Sequence, residues 1–276
     1  RKTNMTPTDP DAYIGMPGLY TPEYDEIHIS VTFTWDLPRA EILAENWDRF
    51  GRVRVGGPAL NDKGGDFEPG RFLRPGVSIT SRGCPNRCKF CFVPGREGKI
   101  RELPIRPGNT IQDNNLLACS DSHIQKVFQM LRSQRQVEFA GGLEASRVTD
   151  AIVDELSALK IRQIWLAFDR PSAETALVRA VEKLRRVFSR DKIRCYVLIG
   201  GEGDTIPAAE SRLEKAWDIG TLPYAMRYQK ATVTNKEKYL STDPAWAKLK
   251  HIWSRPAITK KINKQRIRDG HNIEFY

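Results

Sequence analysis

No run of the sequence approaches the roughly eighteen consecutive apolar residues that read as a membrane-spanning helix. The first ten residues are polar and lack the basic head and apolar middle of an export signal. Both absences predict a chain that neither crosses a membrane nor is exported. Cysteine is sparse: five residues, an odd number, with Cys84, Cys88 and Cys91 crowded together and Cys119 and Cys195 apart. Such a set does not build a disulfide framework, and it suits the reducing cytoplasm. No internal repeat or low-complexity tract is present. Acid is missing from residues 248–268, where eight lysines and arginines stand unopposed within a chain of net charge +10. That stretch reads either as a solvated, partly frayed tail or as an electrostatic footprint for a polyanion.

A length of 276 residues suits one large domain, or one domain with a smaller appended piece. From Asn109 onward, short apolar runs rich in branched residues alternate with helical patterns, the signature of repeated βα units and a parallel sheet. Strands are expected at 77–80, 110–113, 137–140, 161–168, 193–199 and 222–228. Helices are expected at 122–134, 149–159, 173–188 and 207–219, the first with Ile124, Val127, Phe128 and Leu131 on one face and Ser120 as its cap. Six strands are too few for a standard eight-stranded barrel, so an α/β fold in the form of an open, partial (β/α)6 barrel is expected over residues 76–230. Before it, residues 1–75 read as a βαβ extension, with strands at 26–34 and 52–55 around a helix at 38–50, and a glycine- and proline-rich wrapping loop at 61–76. After it, residues 231–276 form the basic segment, with Trp246, Trp253 and Tyr276 interleaved.

The densest chemical signal is Gly83-Cys84-Pro85-Asn86-Arg87-Cys88-Lys89-Phe90-Cys91, a C-x3-C-x2-C run flanked by turn-forming residues. Three thiolates on one loop supply one ligand fewer than a closed four-thiolate cluster takes. Zinc with a fourth ligand such as Cys119 or His123 is an alternative, although structural zinc loops usually repeat their paired cysteines and no second pair exists here.

Residues 80–91, with the Ser-Arg-Gly-Cys-Pro lead-in and the aromatic Phe90 before the third cysteine, closely resemble the cluster loop of radical S-adenosylmethionine enzymes. The lead-in is most similar to the branch that includes cobalamin-dependent members and methylthiotransferases. The whole pattern resembles proteins of that superfamily found in phage and prophage genomes. The resemblance covers about residues 76–228 and implies a 4Fe-4S cluster on Cys84, Cys88 and Cys91, with S-adenosylmethionine on the fourth iron. Its reductive cleavage would give a 5'-deoxyadenosyl radical that abstracts hydrogen from a substrate, drawing electrons from a flavodoxin or ferredoxin. The resemblance further implies cofactor contacts at Phe90, at Asp113, Asn114 and Asn115, and at Gly141, Gly142 and Glu144, the last displaced by one leucine from the family's usual form. It also implies Arg147 for the methionyl carboxylate, Asp169 for ribose or substrate hydroxyls, and Ile199 against adenine. Cys119 and Cys195 read as small buried hydrophobes, Cys119 being the better functional candidate. The N-terminal unit is similar to the end of a cobalamin domain but carries no Asp-x-His-x-x-Gly ligand motif, so no cobalamin is expected.

Substrate and reaction stay open, with methylation, sulfur insertion and isomerisation as options and a nucleic acid or nucleotide as the expected substrate class. The basic segment and its aromatics would grip phosphates and stack bases, or else cover the open side of the barrel. A non-enzymatic iron-sulfur or zinc protein that binds nucleic acid is the alternative from another class.

Overall fold

A computed structural model describes residues 2–60, 69–228 and 243–268. These form two compact units, one up to Met130 and one from Leu131 onward.

In the first unit, β1 (Glu26–Ser30) lies parallel to β2 (Arg52–Gly56), with Glu26 opposite Arg52 and Ser30 opposite Gly56. Parallel neighbours need a crossover, here α1 (Leu37–Trp47), with Pro38 in its first turn where no intrahelical donor is lost. Val31, Ala40 and Ala59 form a small core with Ile29 and Leu37. The strand is shorter than the alternation suggests because a 3-10 turn, Thr34–Asp36, starts the chain into α1, and the helix closes in a second, Asp48–Phe50. Next comes β3 (Gly76–Ser78), parallel to β6 (Gly108–Ile111). Between them the cysteine stretch sits inside a feature the sequence does not announce. Its base is a two-residue antiparallel pair, β4 (Ser81–Arg82) with β5 (Arg101–Glu102), and a single turn of helix, α2 (Val93–Arg96), follows the last cysteine. Two-residue strands have no period to detect. Helix α3 (Asp121–Arg132) follows, burying Ile124, Val127 and Phe128.

In the second unit, β7 (Val137–Phe139), β8 (Ile161–Ala167), β9 (Ile193–Ile199) and β10 (Leu222–Arg227) run parallel, each beside its predecessor. They are joined through α4 (Asp150–Ser157), α5 (Glu174–Arg185) and α6 (Ile206–Asp218). Thr149 caps α4 by accepting from the Ile152 amide, and Thr205 does the same for α6 through Ala208. The aliphatic faces meet in a core that includes Leu156, Ile164, Leu177, Leu184, Val197 and Leu213, none more than 1 % exposed. The order in this unit is β10-β9-β8-β7, and with β6 beside β3 in the first unit the six longer strands give an α/β arrangement of parallel strands.

The basic C-terminal stretch is not a frayed tail over its described part. It forms helices Pro244–Trp253 and Pro256–Arg268, the first capped by Asp243 and burying Leu249 and Trp253. Trp246 lies against Gly200, where an added Cβ would stand 3.5 Å from its ring. The charge is carried by the outer faces while the aromatics pack inward. Tyr276 and residues 61–68 of the wrapping loop lie outside the described residues. Among the described residues, no helix is long and apolar enough to cross a membrane.

Leu177 is fully buried in α5, so Leu177→Ala should cost about 2–5 kcal/mol by lost contacts and a residual cavity. Urea unfolding followed by circular dichroism checks this, and an unchanged midpoint would contradict the packing described.

Candidate functional site

The three cysteines occupy one loop in the first unit, all half-buried and none in a disulfide. The loop is closed at its base by β4 and β5 and by the Cys84 amide, which donates to the Gly98 carbonyl at 3.2 Å. Gly83 is obligatory here. Its φ is +89°, and a Cβ would sit 2.0 Å from the Lys99 carbonyl oxygen.

Three consecutive polar residues after β6 hold the chain leading into this loop. Asp113, 2 % exposed, accepts from the Thr80 amide at 2.6 Å, from the Ser81 hydroxyl at 2.8 Å and from the Thr80 hydroxyl. Asn114 accepts from the Gly83 amide at 3.0 Å. Asn115, also buried, donates through Nδ2 to Cys84 Sγ at 3.4 Å. Thr80 and Ser81 are fully buried, so these donors have no water to fall back on. The tripeptide that the resemblance places on the cofactor side is therefore engaged, residue after residue, with the segment 80–84.

A second group sets the charge beneath the loop. The buried Glu97 carboxylate lies 3.6 Å from Arg101 Nη2 and 3.9 Å from Arg82 Nε, while Arg101 also donates to the Glu97 carbonyl at 2.9 Å. Burial lowers the Arg82 pKa, opposed by the negative charges of Glu97 and Asp113. Arg82 and Arg101 thus face the carboxylates of Glu97 and Asp113 at the base of the loop. This group carries no sequence motif. The only hint is that Arg82, Glu97 and Arg101 bracket the cysteines.

Glu102 ends β5 and accepts from the Ser120 amide at 2.7 Å, which holds its carboxyl below the ordinary range. Ser120 Oγ in turn accepts from the His123 amide at 3.2 Å, the cap expected of it. His123 is buried, with Nδ1 3.7 Å from Glu102. Cys119 is 8 % exposed, and burial pushes its thiol up to about 11 despite a bond to Ser81. Burial raises Cys195 as well.

Among the described residues, no group of three or more His, Cys, Asp or Glu side chains converges on a metal-sized position. The fit to an iron-sulfur cluster lies in donor chemistry and anchoring. Three sulfurs outside any disulfide share a pinned loop, and Cys84 receives an amide hydrogen bond of the kind that tunes cluster potentials. Phe90 is half-buried within the loop.

The other expected contacts belong to the second unit. Gly142 makes the turn after β7, with φ +90° and its amide donating to Phe139 at 3.1 Å; Gly141 beside it is exposed. Glu144 and Arg147 face each other, Arg147 Nε to Glu144 Oε2 at 2.9 Å, while Ser146 donates to Oε1 at 2.7 Å. Asp169 accepts from the Leu198 amide at 2.8 Å and so splints β8 to β9; burial raises its pKa. Ile199 is fully buried on the strand face shared with Ile193, Cys195 and Val197. The glycine turn after β9 is held by Asp204, which accepts from the Gly200 amide at 2.9 Å and pairs with both terminal nitrogens of Arg212. Sequence reading missed this pair, since neither residue falls in a motif.

No family model and no curated protein matches this chain.

Exposure separates the loop cysteines from Cys119 and Cys195, whose thiols burial also raises. At pH 8 under reducing conditions, iodoacetamide should modify Cys84, Cys88 and Cys91 while Cys119 and Cys195 stay intact, because a thiol raised to about 11 is almost fully protonated there. Peptide mass spectrometry checks this, and Cys119 alkylated as fast as the loop cysteines would contradict it. Asp113→Ala strands three buried donors and should cost about 3 kcal/mol or more, read as a lower unfolding midpoint.

Proposed function

We propose that the chain is a radical S-adenosylmethionine enzyme, with Cys84, Cys88 and Cys91 as the ligands of a 4Fe-4S cluster and a (β/α)6 partial barrel as its body. The observation that carries this reading is the three-cysteine loop, undisulfided and half-buried, fastened by Asp113, Asn114 and Asn115. The parallel α/β sheet that follows supports it. When bound, the cluster supplies the electron that cleaves S-adenosylmethionine to a 5'-deoxyadenosyl radical.

The protein's own work is placement. Asp113 fixes the backbone on which the first cysteine stands, and Gly83 lets that backbone turn against Lys99. Asn115 places an amide donor on Cys84 Sγ and so orients that sulfur. Arg82 and Arg101 close on Glu97 and brace the base of the loop. Electrons come from a flavodoxin- or ferredoxin-type donor. The substrate class we favour is a nucleic acid or nucleotide, supported by the net charge of +10 and the acid-free helices at the C-terminal end.

Anaerobic incubation of the reconstituted, reduced protein with S-adenosylmethionine tests the reading. Release of 5'-deoxyadenosine is expected, and Cys84→Ala, Cys88→Ala and Cys91→Ala should each abolish it. Asn115→Leu should leave the iron content intact but shift the cluster's reduction potential, since a hydrogen bond to sulfur is lost. Absence of 5'-deoxyadenosine from protein that carries four irons per chain would sink the proposal.

A further inference from the structure

The two faces of the second unit's sheet differ in chemistry. On β9, Ile193, Cys195, Val197 and Ile199 are fully buried and point one way, while Arg194, Tyr196 and Leu198 point the other. Register places Trp165 beside Arg194, and Tyr224 beside Tyr196. The second face therefore gathers an aromatic cluster around one cation. Trp165 and Tyr196 stack with centroids 4.1 Å apart and planes 17° off parallel, and Tyr224 stands edge-on to both at 83° and 88°. Glu138 of β7 joins them by accepting from Trp165 Nε1 at 3.0 Å.

A parallel sheet closed on both faces is normally aliphatic on both. This face is not, and it is not fully closed: Tyr196 and Tyr224 are half-buried and Met226 is 41 % exposed. Most polar groups on it are satisfied, the Tyr196 hydroxyl donating to the Ala140 carbonyl at 3.1 Å. Arg194 is the exception. It is 4 % exposed, the only buried arginine or lysine among the described residues, and its Nε has no hydrogen-bond partner among them. Its guanidinium lies 4.7 Å from the Trp165 ring centroid, a cation–π contact that offsets part of its desolvation but satisfies none of its donors in the way an acceptor would.

We infer that this face is a binding site for a purine base of the guanine type. Tyrosine rings beside a stacked tryptophan offer the flat apolar surfaces that bases stack on. A donor-only guanidinium matches two adjacent acceptors, which guanine presents at O6 and N7, whereas adenine places an amino donor beside its N7 and pyrimidines lack that pair. Glu138 is an acceptor-only group next to the same rings; with Trp165 Nε1 on one oxygen and Arg162 3.5 Å from the other, each oxygen keeps a lone pair for the ring and amino hydrogens of guanine. The statement that such a base is the substrate rests on the proposed radical chemistry. That the face binds it does not.

The protein, residues 1–276, is titrated with guanosine, adenosine, cytidine and uridine monophosphates, following tryptophan fluorescence and heat. Guanosine monophosphate should bind at least about tenfold more tightly than the other three, and Arg194→Lys, which keeps the charge but loses the planar fork, should weaken it by about tenfold or more. Glu138→Gln should weaken guanosine monophosphate selectively, and it decides the matter if Arg194→Lys fails to fold. Equal binding of all four nucleotides, no binding of guanosine monophosphate, or folded variants that bind as the parent does would overturn the site. Selective binding without 5'-deoxyadenosine release would leave the site standing and remove the radical chemistry. Release without base selectivity would do the reverse.

Discussion

A single buried carboxylate organises the cysteine loop. Asp113 is nearly inaccessible and accepts from three donors on Thr80 and Ser81, two residues that are themselves fully buried. A buried acceptor with its donors met is worth modest net stability, but one stripped of them costs far more. The arrangement therefore tolerates little movement. Because Asn114 and Asn115 continue it onto Gly83 and Cys84, the first cysteine's position follows from the end of β6. The sheet thus dictates where the sulfur stands, and the loop beyond is free to be rich in turns without losing its anchor.

Charge and solvation divide the cysteines into two kinds. Cys84, Cys88 and Cys91 stand on a loop half open to solvent, with Arg82 and Arg101 at its base. Beneath the same loop, Cys119 sits among buried groups with Asp113 and Glu102 nearby, and both burial and those charges keep its proton on. Neighbouring cysteines thus differ in solvent access, one of them sealed beneath groups that keep its proton on. The second unit shows the same division on one strand, where alternate residues of β9 enter an aliphatic core or a polar aromatic face.

The α/β class, the order of strands and the helix faces were legible because they rest on periodicity over many residues. Strand β9 at Ile193–Ile199 is found where its branched run lies, and α3 buries Ile124, Val127 and Phe128 as their spacing implies. Boundaries moved where short turns intervene, as at Thr34–Asp36 and Asp48–Phe50. The cysteine spacing was plain, but the polar network under it was not. Asp113, Asn114 and Asn115 announce a turn or a site without saying whom they hold, and their partners lie more than thirty positions away. Arg194 was illegible for a similar reason, since an arginine in an apolar strand gains meaning only from Trp165 and Tyr224 on the neighbouring strands.

The pinned loop is proposed as the seat of an iron-sulfur cluster with one iron left open to a small ligand. Electron paramagnetic resonance of the anaerobically reconstituted and reduced protein, with and without S-adenosylmethionine, tests it most directly. The account predicts a four-iron signal that changes on addition of S-adenosylmethionine and is lost when any one of Cys84, Cys88 and Cys91 is replaced. A protein that takes up zinc alone, or a cluster signal indifferent to S-adenosylmethionine, would contradict it.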